Sequence, residues 1–197
     1  MKQLQLNDLI LQSLEHEIGG VQVYRTAVAC AVNEDLKEEW SKYLAQTETH
    51  VEILTEVCHA FDLDPEQPLP SRDVVRTVGE GLVKAMQMAR AAGNPEAAQL
   101  VACECVVLAE TKDHLNWELL GKCAKKLTGP RAKALKEAYE TAEDQEDEHL
   151  YHTKGWCREL WIKSLGMAAV LPPPEEDHHV KTAIGAARAE QASAKSR

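Results

Sequence analysis

AEDQEDEHLYHTKGWCRELW, running from Ala142 to Trp161, is the stretch from which the rest of the chain can be read. It holds no proline, and its apolar positions recur at helical spacing. The full stripe is Leu135, Tyr139, Ala142, Glu146, His149, Thr153, Trp156 and Leu160. The steps are threes and fours, so Glu146 and His149 fall where buried leucines would be expected. Their i, i+3 spacing sets a carboxylate and an imidazole on one helix face, one turn apart. An ionisable pair on a core stripe is costly unless its charge is compensated, and a metal ion is a common compensating device. If Glu146 and His149 are metal ligands, other helices must supply the rest of the set.

Upstream, a helix is expected from about Leu4 to Val32, with the stripe Leu6, Ile10, Leu14, Glu17, Val21, Tyr24 and Val28. Glu17 interrupts an otherwise apolar face. Gly19 and Gly20 sit in mid-helix at a cost of about 1 kcal/mol each relative to alanine, which predicts close packing or a local bend. Glu15 and His16 lie off the stripe and read as solvated surface. Asn33 caps a second helix that continues to about Phe61. Its stripe is Trp40, Tyr43 or Leu44, Thr47, His50 or Val51, Leu54, Cys58 and Phe61. The pair here is Thr47-x-x-His50, while Glu48 and Glu52 point roughly a third of a turn away. His50 taken alone is more often a hydrogen-bonded core residue than a ligand.

The proline-rich LDPEQPLPS then breaks the chain, and Ser71 caps a shorter helix to about Ala91. Gly93 and Pro95 end it and start a third long helix, reaching about Leu127. Its stripe is Leu100, Cys103, Val107, Glu110, His114, Trp117, Gly121 and Ala124, with Glu110 and His114 at i, i+4. Gly129-Pro130 precedes the fourth long helix, Arg131 to about Leu165. Four long helices and a connection carrying its own helix, about residues 72–91, predict an all-α four-helix bundle of crossover type over residues 1–166. Residues 167–197 read as a Pro-rich and Ala-rich tail, partly disordered, with His178 and His179 as a solvated pair.

The two halves repeat weakly. Glu17 is followed seven residues on by Tyr24, and Glu110 seven residues on by Trp117. Thr47-Glu48-Thr49-His50-Val51 aligns with Glu146-Asp147-Glu148-His149-Leu150. Each half thus offers one helix with an inward Glu and one with an inward His, the trace a duplicated helical hairpin leaves. A Glu from each of two helices and Glu-x-x-His from each of the other two is the ligand set of ferritin-like di-metal carboxylate proteins. Over its four long helices the chain resembles that superfamily, and QEDEHLYHTKGWCRELW with LGMAAVLPPPEE resembles a bacterial branch distinct from storage ferritins.

The resemblance implies a site in mid-bundle, with Glu17 and Glu110 as single-Glu ligands, Glu146 and His149 from the fourth helix, and His50 from the second. It implies iron, as a di-iron or mononuclear centre, and oxygen or peroxide chemistry, ferroxidase activity, stress protection or iron handling. The second helix departs from the pattern, because Thr47 stands where a bridging Glu belongs. Glu48 or Glu143 would have to substitute, or His114 to repair the count. The resulting nitrogen-rich set suits Fe, Zn or Cu better than Mn.

Composition narrows the alternatives. With 22 Lys+Arg against 32 Asp+Glu the net charge is −10, which argues against sequence-independent nucleic-acid binding. No signal-peptide core and no long apolar run is present, so neither export nor a membrane span is expected, and the protein reads as cytoplasmic, a monomer or homodimer. The six cysteines lack paired C-x-x-C spacing and read as buried, reduced thiols. A copper-storing thiol bundle is disfavoured because Cys103 and Cys105 face different ways on a helix. The competing class is a non-enzymatic helical scaffold or partner-binding protein with a degenerate site.

Overall fold

Turn chemistry divides the chain. The Asn33 side chain accepts a hydrogen bond from the Leu36 backbone N–H at 3.0 Å, and Asn94 does the same for Ala97 at 3.1 Å. Gly93, beside Asn94, and Gly129, at the following turn, take φ of +81° and +76°, a conformation that strains any residue with a Cβ. The computed structural model describes residues 2–170. Among these there are five helices and no strand: α1 (Gln3–Cys30), α2 (Glu34–Ala60), α3 (Pro70–Ala91), α4 (Pro95–Ala124) and α5 (Gly129–Ser164). The all-α class expected from the sequence is present, and no helix of the described residues is long and apolar enough to cross a membrane. Of the tail, residues 171–197, with His178 and His179, lie outside the described residues.

α1 packs on α2 and α4, and α5 packs on the same two helices, which closes a ring around a common interior. α3 lies outside that ring, against α1 and α4. The interior holds two apolar clusters. One is built around Tyr24, Trp40, Tyr43, Cys103 and Trp156, the other around Ile10, Leu54, Phe61, Trp117 and Leu135. Every helix of the ring contributes to both. Each fully buried large side chain supplies about 1.5–3 kcal/mol, so the two clusters clamp the helices on either side of a central gap. Glu17, His50, Glu110, Glu146 and His149 occupy that gap.

Gly20 faces α2: a Cβ built on it would lie 3.2 Å from Thr47 Cγ2, so close packing is the reason for glycine there. Ser71 does not cap α3. The helix starts at Pro70 with Leu69 in the cap position, and the Ser71 hydroxyl donates instead to Asp8 of α1.

Glu15 and His16, expected on the surface, are not there, because α3 and α4 cover that side of α1. Glu15 is buried and accepts from Arg72 Nε at 2.9 Å and Arg76 Nε at 2.7 Å. Burial would raise its carboxyl, but the two guanidinium groups hold it below the ordinary range. Arg72 also donates to the carbonyls of Pro65 and Gln67, which ties the proline-rich connection to α1. His16 is half-buried with Nε2 3.0 Å from the Ala109 carbonyl oxygen, and burial depresses its pKa. Arg72→Ala removes one of the two guanidinium partners of the buried Glu15 carboxylate, together with the contacts to the Pro65 and Gln67 carbonyls, and is expected to cost about 1–3 kcal/mol, read as a lower urea midpoint.

Candidate metal centre

α5 places Glu146 and His149 one turn apart, α2 brings His50, α1 brings Glu17 and α4 brings Glu110. All five are buried, none more than 4% exposed. They form two overlapping groups, Glu17–His50–Glu146 and Glu110–Glu146–His149, each able to hold a metal ion. Within a group, one ligand atom per residue lies within 4.8 Å of the others. Glu146 belongs to both. His50 Nδ1 is 2.9 Å from Glu146 Oε1 and 3.5 Å from Glu17 Oε1. His149 Nδ1 is 3.5 Å from Glu146 Oε1 and 3.7 Å from Glu110 Oε2.

The outer partners repeat with the same two-fold logic. His50 Nε2 meets Gln145 Oε1 at 3.0 Å, and His149 Nε2 meets Gln46 Oε1 at 3.0 Å. Each glutamine directly precedes the x-x-x-His of its own helix and reaches the histidine of the opposite one. An amide oxygen accepting from Nε2–H fixes the ring and leaves the Nδ1 lone pair facing the centre. Trp117 Nε1 donates to Glu17 Oε1 at 2.7 Å, and the buried Tyr24 hydroxyl feels the Glu110 charge without making a well-directed hydrogen bond. The aromatic two turns beyond each carboxylate therefore sits by the carboxylate of the other helix.

The donor set fits a cation. Both oxygens of Glu146, Glu17 Oε2, Glu110 Oε2 and the Nδ1 atoms of His50 and His149 are buried without a well-directed hydrogen bond. Orphaned polar atoms of this kind are costly in a protein interior, and here they gather in the two overlapping groups. Burial and mutual repulsion show in the titration. Burial, with Glu17 close by, raises Glu146 to about 7, although His50 pulls it down. Burial and the Glu146 charge push Glu110 well above the carboxylate range. Burial alone would lower His50, but its contacts with Glu146 and Glu17 carry it up to about 11. Burial drives His149 well below the usual imidazole value, with the His50 charge adding to it.

The structure does not bring His114 to this centre. Its imidazole is partly exposed, and Nε2 pairs with Asp147 at 2.7 Å, because at i+4 from Glu110 it turns out over the α4–α5 seam. Among the described residues neither Glu48 nor Glu143 takes the place of the carboxylate that the resemblance expects at position 47. Glu48 is exposed and pairs with Arg25 at 2.6 Å, and Glu143 is exposed and accepts from the Tyr139 hydroxyl. Neither metal-holding group contains a cysteine.

Several residues went unread in the sequence. Gln46 and Gln145 could have been found, since each precedes an aligned position of the repeat. Asp113, buried with Oδ1 unpartnered, lies three residues after Glu110, and burial together with Glu17 raises its pKa well above normal. Tyr43 lies against His149, ring centroids 4.3 Å apart, and its hydroxyl donates to Glu39 Oε1 at 2.7 Å. His152 Nδ1 and Trp156 Nε1 reach the same Glu39 carboxylate, at 2.5 and 2.6 Å. No sequence signal marked Glu39, since it lies among other acidic residues at the start of α2.

Comparison with protein-family models, curated proteins and solved structures finds no match, so the functional reading rests on this geometry. If Gln46 and Gln145 orient the imidazoles, Gln46→Leu and Gln145→Leu should each weaken metal binding about 10–100-fold. An anaerobic Co(II) titration followed by visible absorbance measures this.

Proposed function

We propose that the chain is a ferritin-like four-helix bundle, α1, α2, α4 and α5 with α3 as crossover helix, that binds transition-metal ions, iron foremost, at Glu17, His50, Glu110, Glu146 and His149. The observation that carries the reading is the pair of buried Glu/His groups sharing Glu146. The closed ring of helices and the exchanged glutamine and aromatic partners support the bundle and its two-fold origin. Bound iron would supply redox chemistry toward oxygen or peroxide, in a ferroxidase or peroxide-consuming role.

The chain's own residues do the rest. Glu146 would serve both positions, and Glu17, steadied by Trp117, and Glu110, beside Tyr24, would serve one each. Gln145 and Gln46 keep the imidazoles turned inward. The two apolar clusters close the site at both ends and exclude bulk water, which strengthens every electrostatic contact inside. Two imidazoles beside three carboxylates suit iron or zinc.

Elemental analysis of the purified protein is expected to find stoichiometric transition metal, lost in a Glu146→Ala, His149→Ala variant. Fe(II) with oxygen should give an absorbance change that this variant lacks; equal responses would sink the proposal. Binding also requires His50 and Glu146 to give up protons held up to about 11 and about 7. Metal uptake at pH 7 should therefore release protons, and affinity should fall as the pH drops below 7. Calorimetry in buffers of different ionisation heat reads the release directly.

A second reading has one observation in its favour. The His50–Glu146 contact at 2.9 Å is the ion pair that a metal-free polar core would use. A scaffold of that kind should melt at the same temperature with or without metal. The metal-binding reading expects stabilisation of about 2.7 kcal/mol with metal at a hundredfold its Kd.

A further inference from the structure

The larger grooves do not reach the ligands. One of about 780 Å3 runs between α2 and α5, and one of about 520 Å3 lies between α1, α3 and α4. Two more, of about 850 and 580 Å3, lie at the α2, α4 and α5 ends and along α1 and α3. None is lined by Glu17, His50, Glu110, Glu146 or His149. A much smaller cavity, of about 40 Å3 on the α4–α5 seam, is lined by one of them. Its walls are His114, Trp117, Glu118, Tyr139, Glu143 and Asp147, together with Glu146.

Size and chemistry both bear on what this opening admits. A water needs about 10–15 Å3 by the same measure, so the space takes an ion with one or two waters and no organic substrate. Its outer rim is partly or fully exposed and carries three carboxylates and an imidazole, with His114 Nε2 and Asp147 Oδ1 2.7 Å apart. The nearby cations are engaged: Lys122 pairs with Glu118, and Lys125 lies 6.0 Å over the Tyr139 ring. At the inner side stands Glu146, 1% exposed, its Oε2 without a hydrogen-bond partner. A buried, unpartnered carboxylate oxygen behind an acidic mouth is an arrangement that draws cations inward. Gly121 lets the wall close up, since a Cβ there would lie 2.6 Å from the Tyr139 ring, and Tyr139 in turn donates to Glu143.

We propose that the α4–α5 seam is the route by which a divalent transition-metal cation reaches the centre, held first by Asp147 and His114 and then passed to Glu146. This rests on the metal-centre reading above, and it gives His114 a role other than ligand. A group that only lines a path changes loading and release by the same factor, whereas a lost ligand weakens binding. That difference separates the two roles.

The test uses the full chain and Co(II) without oxygen, with uptake followed by stopped-flow absorbance and release by excess EDTA. Both positions are partly exposed, so an Asp147→Asn, His114→Gln variant should fold, which circular dichroism melting verifies. Uptake and release are each expected to slow at least about tenfold, with unchanged stoichiometry and affinity. Added salt should slow wild-type uptake more than that of the variant. Glu48→Gln, which removes a charge from the α1–α2 side, should leave the rate unchanged.

Equal rates in wild type and the Asp147, His114 variant would overturn the route, and so would equal slowing by Glu48→Gln. Loss of affinity or stoichiometry would overturn it by making His114 a ligand. If the wild type binds no Co(II) at all, the metal-centre reading itself falls, an outcome distinct from those three.

Discussion

Three carboxylates and two imidazoles packed into the middle of an apolar helix ring cannot stand uncompensated. Moving even one carboxylate into such a medium costs several kcal/mol after relaxation, and Glu17, Glu110 and Glu146 are close enough to raise one another's cost. The rest of the structure responds to that constraint. Two clusters of large apolar side chains lie either side of the gap and hold the helices in place across it. The uncharged groups in reach, Gln46, Gln145 and Trp117, each make one directed hydrogen bond to a member of the set. None of these bonds satisfies the atoms that face the centre. The partners orient the charged groups without neutralising them, as expected of a shell that supports a cation.

The repeat explains why so few residues can do this. A duplicated hairpin gives each supporting interaction twice from one solution: Gln before the His-bearing turn, and an aromatic seven residues beyond the single Glu. Because the halves pack face to face, each support acts on the opposite half. Trp117 of α4 holds Glu17 of α1, and Gln145 of α5 holds His50 of α2. Removing one support therefore disturbs a ligand on another helix, and the centre and the packing of the ring depend on each other.

Much of this was legible in the sequence because helical periodicity is a local signal. The stripes located Glu17, His50, Glu110, Glu146 and His149 on inward faces, and the turn residues Asn33, Asn94 and Gly129 bounded the helices. What failed was whatever depends on a neighbouring element. Glu15 looked solvated because nothing in α1 announces that Arg72, after a proline-rich connection, will cover it. His114 shares a stripe with Glu110, but a step of four on a 3.6-residue period drifts toward the seam, where Asp147 captures it. Asp113, one step the other way, is the residue the drift carries inward.

Thr47 gives the centre its particular charge balance. A fully symmetric set would hold four carboxylates, which two divalent cations neutralise. Here the two groups hold three, with Thr47 buried against Gly20, and the buried Asp113 nearby belongs to neither group. Two divalent ions would leave one positive charge in a water-poor interior, and a small anion such as hydroxide or a peroxide anion would be drawn in to balance it. One divalent ion with a proton kept on His50 balances three carboxylates without any anion. The loss of one carboxylate would set the two halves to different tasks: in the Glu110–His149 half burial already keeps the imidazole neutral, and the proton to be shed is that of Glu110, whose carboxyl burial and the Glu146 charge hold well above the usual range. In the Glu17–His50 half it is the imidazole that would have to lose a proton, so filling either position would depend on pH, through a carboxyl on one side and an imidazole on the other.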